Sequence, residues 1–355
     1  MKILIIGFNE VDVMPYITPY VKMAQKSGVE YEILEWNRKY DGEMTFDPSS
    51  NKWTISIKAS NNKTGKLYSF YRWKKSVINF LKKNNYDKIV ILTTFPGILL
   101  SKLLNKKYAN KYIFDIRDYT YEYIPYFRYL EKKVMQSAKF NVISSKGFYQ
   151  WLPQKDKTIV AHNITSYESL PKTKSKEDTR ITIGYLGCIS YLEENVALIN
   201  GLDDKTFKML YAGVYPETYN IKDYCVEEDI KNIEFLGKYN NSEKNVIYQR
   251  VDLINAIYGN KSPIVKYALP NKLYDGLQLK IPILASKATY LGAIVEKYKV
   301  GISVDLQDAE FGKKIEKFMQ EYSKEEFEKK CEILLRKVKK EQEKYLQNIE
   351  KFMRA

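Results

Sequence analysis

The stretch YALPNKLYDGLQLKIPILAS, residues 267–286, decides how the fold and the site are interpreted. It follows one apolar run, VDLINAIY, and ends in another, IPILAS, and both runs are typical of buried strands. Pro270 holds its predecessor extended, which predicts a helix that begins just after it with Asn271 as the N-cap. The helix is predicted to run from Lys272 to about Lys280. A helix between two buried strands indicates a parallel α/β sheet.

The start of this predicted helix carries an unusual set of polar side chains. At about 3.6 residues per turn, Lys272 and Asp275 share one face, whereas Leu273 faces the sheet. The first turn offers free backbone N–H groups and a partial positive charge, which favour a phosphate beside Lys272. Asp275, one turn further on, is suited to accept two hydroxyl hydrogen bonds. These residues predict a nucleoside diphosphate site, with the diphosphate at the helix start and the ribose on Asp275.

A purely structural interpretation of the same residues stays open at this point. Asn271 could act only as a cap, Lys272 could be solvated, and Asp275 could complement the helix dipole. The position of the segment late in the second half of the chain, between two apolar strands, favours the functional interpretation.

Apolar strands and amphipathic helices alternate in two series along the chain. The first series runs from KILIIGF to KTIVAHN and the second from ITIGYLG to GISVD, with a polar stretch between them. We predict an α/β protein of two Rossmann-like, doubly wound parallel-sheet domains that face a cleft, with ligands beyond the carboxyl ends of the strands. The predicted parts are an N-terminal domain (1–166), a linker (167–180), a C-terminal domain (181–320) and a helical tail (321–355).

Composition narrows the function classes. The chain has 355 residues, a net charge of +15, three cysteines and a single histidine, His162. The basic excess suits nucleic acid, an anionic membrane or phosphorylated small molecules. The cysteines form no C-x-x-C pair, and the sequence shows no signal peptide and no apolar run of about 18 residues. These features predict a cytoplasmic protein. No P-loop, G-x-G-x-x-G, Asp-x-Asp or zinc spacing occurs, so no metal site is predicted.

ALPNKLYDGLQLKIPILAS resembles the nucleotide-binding signature of retaining GT-B glycosyltransferases of family 4, roughly P-x-K-x-x-E-A-x-A-x-G-x-P-V-x-A-S. YIFDIRD and IVAHN in the first half, and ITIGYLGCIS and IEFLGKY in the second, follow the order and spacing of that family. The resemblance implies that the second domain binds a nucleotide-sugar donor, by default a UDP-sugar. It implies that the first domain binds a saccharide or lipid-linked acceptor, that transfer retains configuration, and that no metal or other cofactor is needed. The implied setting is bacterial surface-polysaccharide synthesis, of a capsular polysaccharide or an exopolysaccharide.

The resemblance also implies which residues contact the donor. In the family, the carboxylate at the position of Asp275 binds ribose, and basic residues such as the one at Lys272 neutralise the diphosphate. This chain departs from the pattern in having Tyr267 in place of the first glutamate of the E-x7-E pair and no Arg or Lys in the loop CISYLEEN. The implied donor contacts are Gly187, Tyr239, Tyr267, Leu269, Pro270, Asn271, Lys272, Leu273 and Asp275.

Three charged residues follow an apolar strand in FDIRDYTYEY: Asp115, Arg117 and Asp118. Unpaired buried charges are costly, so we expect either a structural Asp–Arg pair that closes the strand or a carboxylate that binds sugar hydroxyls. Together with Lys272 these three residues form the predicted catalytic set. An inverting GT-B transferase would instead use Asp115, Asp118 or His162 as a general base, although His162 is better explained as a structural residue.

Three further expectations concern partners and the tail. Lysines and aromatic residues in NRKY, YRWKKS, LNKKYANK and YLEKK predict a peripheral contact with an anionic membrane, at the inner face of the plasma membrane. The alternative of another class is a basic nucleic-acid-binding protein, but no nucleic-acid motif or basic stripe occurs, so no nucleic acid is expected. Apolar residues at helical spacing predict that one face of the tail is buried. The GT-B resemblance implies that the tail crosses back onto the first domain; the rival is an amphipathic helix on the membrane.

Overall fold

The computed structural model describes residues 1–164 and 179–355. These residues form two compact units: Met1–His162 with Lys340–Ala355, and Asn163–Lys339. The predicted linker, 167–180, lies outside the described residues except for its last two positions.

An eight-stranded sheet forms the centre of the first unit. Its strands are β1 Lys2–Ile6, β2 Glu30–Asn37, β3 Thr45–Asp47, β4 Lys52–Ser56, β5 Lys88–Leu92, β6 Tyr112–Ile116, β7 Phe140–Ile143 and β8 Thr158–Val160. The spatial order is β3-β4-β2-β1-β5-β6-β7-β8, and only β3 runs antiparallel to its neighbour. The strand order reverses between β1 and β5, which is where open sheets of this type bind ligands, beyond the carboxyl ends.

Helices connect these strands, because parallel neighbours require crossover connections. They are α1 Thr18–Lys26, α2 Lys63–Lys83, α3 Thr94–Leu99, α4 Ser101–Lys107 and α5 Pro125–Ser137, with 3-10 turns at Val11–Val13, Pro15–Ile17 and Lys146–Gln150. Apolar residues of β1, β5 and β6 have essentially no exposed surface, as expected for strands covered on both faces.

The second unit contains a six-stranded sheet with every neighbour parallel. Its strands are β9 Ile181–Cys188, β10 Phe207–Val214, β11 Ile233–Gly237, β12 Leu253–Ala256, β13 Ile283–Ser286 and β14 Gly301–Val304, in the order β11-β10-β9-β12-β13-β14. Its helices are α6 Leu192–Asn200, α7 Ile221–Glu227, α8 Lys244–Tyr248, α9 Pro263–Tyr267, α10 Asn271–Leu279, α11 Tyr290–Tyr298 and α12 Phe311–Gln320. The order reverses between β9 and β12. The predicted fold class, α/β with two doubly wound Rossmann-like sheets, is confirmed.

The last helix, α13 Lys324–Arg354, contributes to both units. Phe327, Leu334 and Val338 lie in the core of the second unit with Leu273 and Val295. Its final turns place four side chains in the core of the first unit: Tyr345, Ile349, Phe352 and Met353. The amphipathic spacing of the tail therefore corresponds to burial along its length.

Within the described ranges, no helix combines the length and the apolar composition that crossing a bilayer requires.

Candidate functional site

The helix of the 267–286 stretch begins one residue earlier than predicted. Pro270 occupies the N-cap position with extended backbone angles (φ −74°, ψ 158°), and Asn271 is the first helical residue of α10. The prediction of Asn271 as N-cap is therefore wrong, because Pro270 already has the extended conformation that a cap needs and no side chain caps this end. The Asn271 Oδ1 atom instead accepts a hydrogen bond of 2.7 Å from Asn163 Nδ2.

Lys272 carries a buried amine. The residue is 5% exposed, and its Nζ atom has no hydrogen-bond partner among the described residues. Nζ lies 3.0 Å from the ring centroid of Tyr185 and 5.1 Å from that of Tyr258. Burial lowers the pKa of Lys272 well below its usual range; the charge of Asp275 opposes this effect and that of Lys244 adds to it. The alternative of a solvated Lys272 is wrong. An amine in this position is suited to an anion that enters the site.

Asp275 is already paired in this structure. Its Oδ2 atom lies 2.8 Å from Lys244 Nζ and accepts a hydrogen bond of 3.0 Å from the Tyr248 hydroxyl. Lys244 and Tyr248 are the first and last residues of α8, so this helix presents both groups to one carboxylate. Asp275 is 3% exposed, so its carboxylate is buried on the first turns of α10.

Sequence reasoning missed Lys244. It precedes Asp275 by about a tenth of the chain, and KNVIY carries no phosphate-binding pattern. The signal that could have found it is a Lys and a Tyr four residues apart, which face the same way on a helix. The structure brings Lys244 and Lys272 close enough for their charges to interact.

The other predicted donor residues differ in how accessible they are. Gly187 is the next-to-last residue of β9 and has a φ of +124°, and a side chain added there would meet open space. Burial raises the pKa of Tyr239, and the charge of Asp275 raises it further. The Tyr239 hydroxyl therefore lies close enough to Asp275 to interact with it. Tyr267 and Leu269 are half-buried beside α10. Leu273 is a core residue, so its side chain is not a donor contact.

Two pockets lie at the carboxyl ends of β12 and β13. The first, about 520 Å³, is lined by Tyr191, Ala256, Tyr258, Gly259, Ile264, Val265, Ala268, Pro270, Ser286, Thr289 and Leu291. The second, about 750 Å³, shares Gly259 and Ser286 with it and adds charged residues such as Glu193, Glu194 and Lys261. The Tyr258 ring both lines the first pocket and faces the Lys272 amine, so pocket and amine are adjacent.

In the first unit, Asp115 and Arg117 form a buried pair. Arg117 Nη2 lies 2.6 Å from Asp115 Oδ2, which also accepts a hydrogen bond of 2.7 Å from the Tyr20 hydroxyl. Asp115 has no exposed surface. A carboxylate buried in this way cannot contact a sugar directly. Of the two interpretations of Asp115, the structural pair with Arg117 at the end of the strand is therefore the one that fits. Asp118 is the one member of the three whose side chain is exposed.

His162 links β8 to the last helix within the first unit. Its Nε2 atom lies 3.0 Å from Glu341 Oε2, and its backbone N–H donates to Gln342 Oε1 at 2.8 Å. Burial acts to raise the pKa of Glu341, but hydrogen bonds from His162 and Lys146 outweigh it and bring that pKa to about 2. These contacts give His162 a structural role between β8 and the last helix.

No three His, Cys, Asp or Glu side chains of residues 1–164 and 179–355 are grouped so that they could hold a metal ion.

No protein-family model and no curated protein matches the chain. It is similar to a solved structure described as trehalose-6-phosphate from E. coli bound with UDP-2-fluoro glucose, with a TM-score of 0.71, 9% identity and 99% of each chain covered. The sucrose-phosphate synthase of Thermosynechococcus elongatus has a TM-score of 0.66 at 12% identity, covering 99% of this chain and 96% of its own. The lipopolysaccharide outer core galactosyltransferase WaaB has a TM-score of 0.65 at 13% identity, covering 94% and 95%. These likenesses establish the GT-B fold.

Proposed function

We propose that this protein is a glycosyltransferase that moves a sugar from a nucleotide-sugar donor, by default a UDP-sugar, to a saccharide or lipid-linked saccharide. We further propose that transfer proceeds with retention and serves bacterial surface-polysaccharide synthesis. The similar solved structures support the reaction class, because they are named as sugar transferases or contain a UDP-sugar. The family-4 resemblance of the 267–286 stretch supports the donor site and retention.

The observation that carries the proposal is the Lys272 amine. It is buried at the N-terminal end of α10, beside the β9–β12 reversal of the sheet, and no described residue offers it a hydrogen-bond acceptor. The positive end of the helix dipole and the first backbone N–H groups point to the same place. A diphosphate bound there would receive a hydrogen-bonding cation, and Lys272 would gain the acceptor that the described protein does not provide.

Asp275 has a second role in this proposal. Its contact with Lys244 holds another cation near Lys272, which compensates for the basic residues that the loop CISYLEEN lacks. Ribose hydroxyls would then bind to the carboxylate beside the Lys244 contact. As the sugar leaves the diphosphate, negative charge grows on the leaving oxygen, and two cations and a helix end stabilise it. This arrangement needs no metal, so we expect transfer to persist in EDTA.

The first unit would supply the acceptor side, with Asp118 as the exposed carboxylate that contacts sugar hydroxyls. The burial of Asp115 and the structural role of His162 leave Asp118 as the best general base if the enzyme inverts configuration. Inverting transfer is therefore the second candidate mechanism.

A peripheral membrane contact is part of the proposal. Tyr126 and Tyr129 on α5 are 69% and 50% exposed, and their rings stack 6.5 Å apart. Lys132 and Lys133 are exposed on the same helix, and Lys133 Nζ lies 4.6 Å from the Tyr129 ring centroid. Tyrosines with adjacent lysines suit the headgroup region of an anionic bilayer.

The reaction is tested by incubating the protein with UDP-, GDP-, ADP- and CMP-sugars and simple saccharide acceptors, with and without EDTA. Mass spectrometry detects the product, and NMR gives its anomeric configuration. Retained configuration supports the main proposal, and inverted configuration supports the mechanism with Asp118 as base. Absence of any transfer, together with failure to bind nucleotides, would remove the glycosyltransferase assignment.

A further inference from the structure

Arg38, directly after β2, packs over aromatic rings and has no carboxylate partner among residues 1–164 and 179–355. Its guanidinium carbon lies 4.3 Å from the Trp36 ring centroid and 4.7 Å from that of Phe8. Its Nη2 atom donates to the Phe8 carbonyl oxygen at 2.5 Å, which is a neutral acceptor. Its Nε atom is buried and has no hydrogen-bond partner within the described ranges. Two aromatic rings and one carbonyl therefore fix the guanidinium, and one of its donors stays unused.

Four other arginines of the described residues have carboxylate partners: Arg72, Arg117, Arg250 and Arg354. Arg72 pairs with Asp41 at 2.7 Å, and Arg250 pairs with Glu234 at 2.5 Å. Arg38 differs because burial lowers its pKa to about 10 and the one group that opposes this effect is the Tyr16 hydroxyl, which is not an acid at neutral pH. A half-buried cation of this kind is costly unless an anion completes the site.

Arg38 lies where the first sheet reverses its strand order. Phe8 follows β1 and Phe95 follows β5, and their rings stack with centroids 5.7 Å apart and planes 4° from parallel. Loops at this edge, beyond the carboxyl ends of the strands on either side of the reversal, are the expected ligand position in an open α/β sheet.

Tyr16 connects Arg38 with the charged residues after β6. Its hydroxyl interacts electrostatically with Arg38, Arg117 and Asp118, and the Arg117 guanidinium carbon lies 5.2 Å from the Tyr16 ring centroid. The Arg117 Nε atom is also buried without a partner among the described residues, although its Nη2 binds Asp115. Asp115 compensates Arg117 through their ion pair, whereas Arg38 forms no ion pair with a carboxylate of the described residues. The exposed Asp118 also lies near the Tyr16 hydroxyl.

We infer that Arg38 binds a phosphate group of the acceptor, so that this protein acts on a phosphorylated acceptor rather than on a neutral saccharide. This inference rests on the proposed function, and it adds the chemical class of the acceptor. The Phe8 and Trp36 rings and the Phe8 carbonyl oxygen restrict the position of the guanidinium. A guanidinium group can bind phosphate through two of its donors. The phosphate belongs either to a free sugar phosphate or to a lipid-linked diphosphate.

The site is tested with inorganic phosphate as the probe in the full chain carrying Lys272→Ala, which removes the donor-side amine. Phosphate affinity is measured by calorimetry and thermal shift, with and without Arg38→Gln. We expect Arg38→Gln to weaken phosphate binding at least tenfold and Arg38→Lys to weaken it less, because lysine keeps the charge. Arg72→Gln is the matched control in the same unit, because Arg72 also lies near a tyrosine ring but is paired with Asp41.

Circular dichroism melts of each variant separate loss of the site from loss of the fold, and Arg38→Lys keeps the test informative if Arg38→Gln does not fold. Equal phosphate affinity with and without Arg38, or no phosphate binding at millimolar concentration, overturns the inference.

The two sources of phosphate are distinguished by glucose 6-phosphate against glucose and by farnesyl diphosphate against farnesol. Tighter Arg38-dependent binding of glucose 6-phosphate than of inorganic phosphate indicates a free sugar phosphate. Tighter Arg38-dependent binding of farnesyl diphosphate than of pyrophosphate indicates a lipid-linked acceptor. If neither compound depends on Arg38, the inference fails.

The outcome can be separated from the fate of the proposed function. If the wild type and Arg38→Gln transfer sugar to phosphorylated acceptors at equal rates, this inference fails but the proposed function stands. Arg38-dependent phosphate binding in a protein that binds no nucleotide defeats the proposed function alone.

Discussion

The Nζ atom of Lys272 lies 3.0 Å from the centroid of the Tyr185 ring and has no hydrogen-bond acceptor within the described residues. The ring face favours the charged amine, whereas burial favours the neutral one and lowers its pKa. A lysine held in this way costs folding free energy, and an incoming anion removes that cost. The predictions below follow from this contact and from the ion pairs around it.

Lys272→Met should abolish most activity without unfolding the protein. Methionine fills similar space without the amine, so we expect turnover to fall about 100-fold, a loss of about 2.7 kcal/mol of transition-state stabilisation. The melting temperature should stay equal or rise, because a buried cation is replaced by an apolar group. Lys297→Met, on an exposed position of α11, is the matched control and should change neither quantity. Normal turnover in Lys272→Met would contradict the role of the amine.

The same variant predicts a pH dependence of stability. The pKa of Lys272 is lower in the folded protein than its ordinary value of 10.5. At pH values between the lowered pKa and 10.5, the unfolded chain therefore binds more protons than the folded protein. The stability of the wild type relative to Lys272→Met should therefore rise as pH increases toward 10.5. Urea denaturation at a series of pH values measures the difference. A difference that does not change with pH would show that Lys272 keeps its ordinary proton affinity.

Asp275→Ala should destabilise the protein, because it leaves the Lys244 amine without its closest carboxylate. Removing one partner of a buried ion pair costs about 3 kcal/mol. The double variant Asp275→Ala/Lys244→Met should recover part of that loss, since neither member of the pair is then left charged without its partner. Denaturation midpoints of the wild type, the two single variants and the double variant form a double-mutant cycle, which measures the interaction between Asp275 and Lys244. Strictly additive effects would mean that the 2.8 Å contact contributes nothing.

Glu341→Gln should change the acid sensitivity of the protein. The pKa of Glu341 is lowered from 4.5 to about 2, so its contribution to stability is present above 4.5 and is lost as pH falls through about 2. Thermal melts between pH 5 and pH 2 should fall less steeply in Glu341→Gln than in the wild type. Glu325→Gln, on an exposed pair of the same helix, should follow the wild type. Parallel curves for all three proteins would show that the His162 and Lys146 contacts are not maintained.

The α5 surface should bind anionic vesicles. Each lysine near an anionic bilayer contributes about 1 kcal/mol, or roughly fivefold in affinity. Lys132→Gln/Lys133→Gln should therefore weaken co-sedimentation about 30-fold. Tyr126→Ser/Tyr129→Ser should weaken it without changing the charge. The control is Lys313→Gln/Lys317→Gln on exposed positions of α12. If the α12 control variant loses vesicle binding and the α5 variants keep it, the membrane contact does not lie on α5.

The sequence was sufficient to predict the fold because the apolar strands recur with helical spacers and glycines at their ends. It also located α10 and the buried lysine of the candidate site. It could not predict that Lys244 pairs with Asp275, because a periodic pattern indicates which face of a helix is buried but not which side chain lies opposite. The burial of Asp115 was undecided for the same reason, since it depends on Tyr20 and Arg117. Arg38 appeared only within the basic stretch NRKY, because its packing depends on one aromatic ring in β2 and another that follows β1.

Binding of nucleoside diphosphates tests the central claim most directly. Thermal unfolding is measured with UDP, GDP, ADP and CMP for the wild type, Lys272→Met and Lys297→Met. A ligand at about 100 times its dissociation constant stabilises the folded state by about 2.7 kcal/mol. We predict that one of these nucleotides, UDP by default, raises the melting temperature of the wild type and of Lys297→Met, and does so much less in Lys272→Met. No shift with any nucleotide at millimolar concentration, or an equal shift in Lys272→Met, would contradict a donor site at the start of α10.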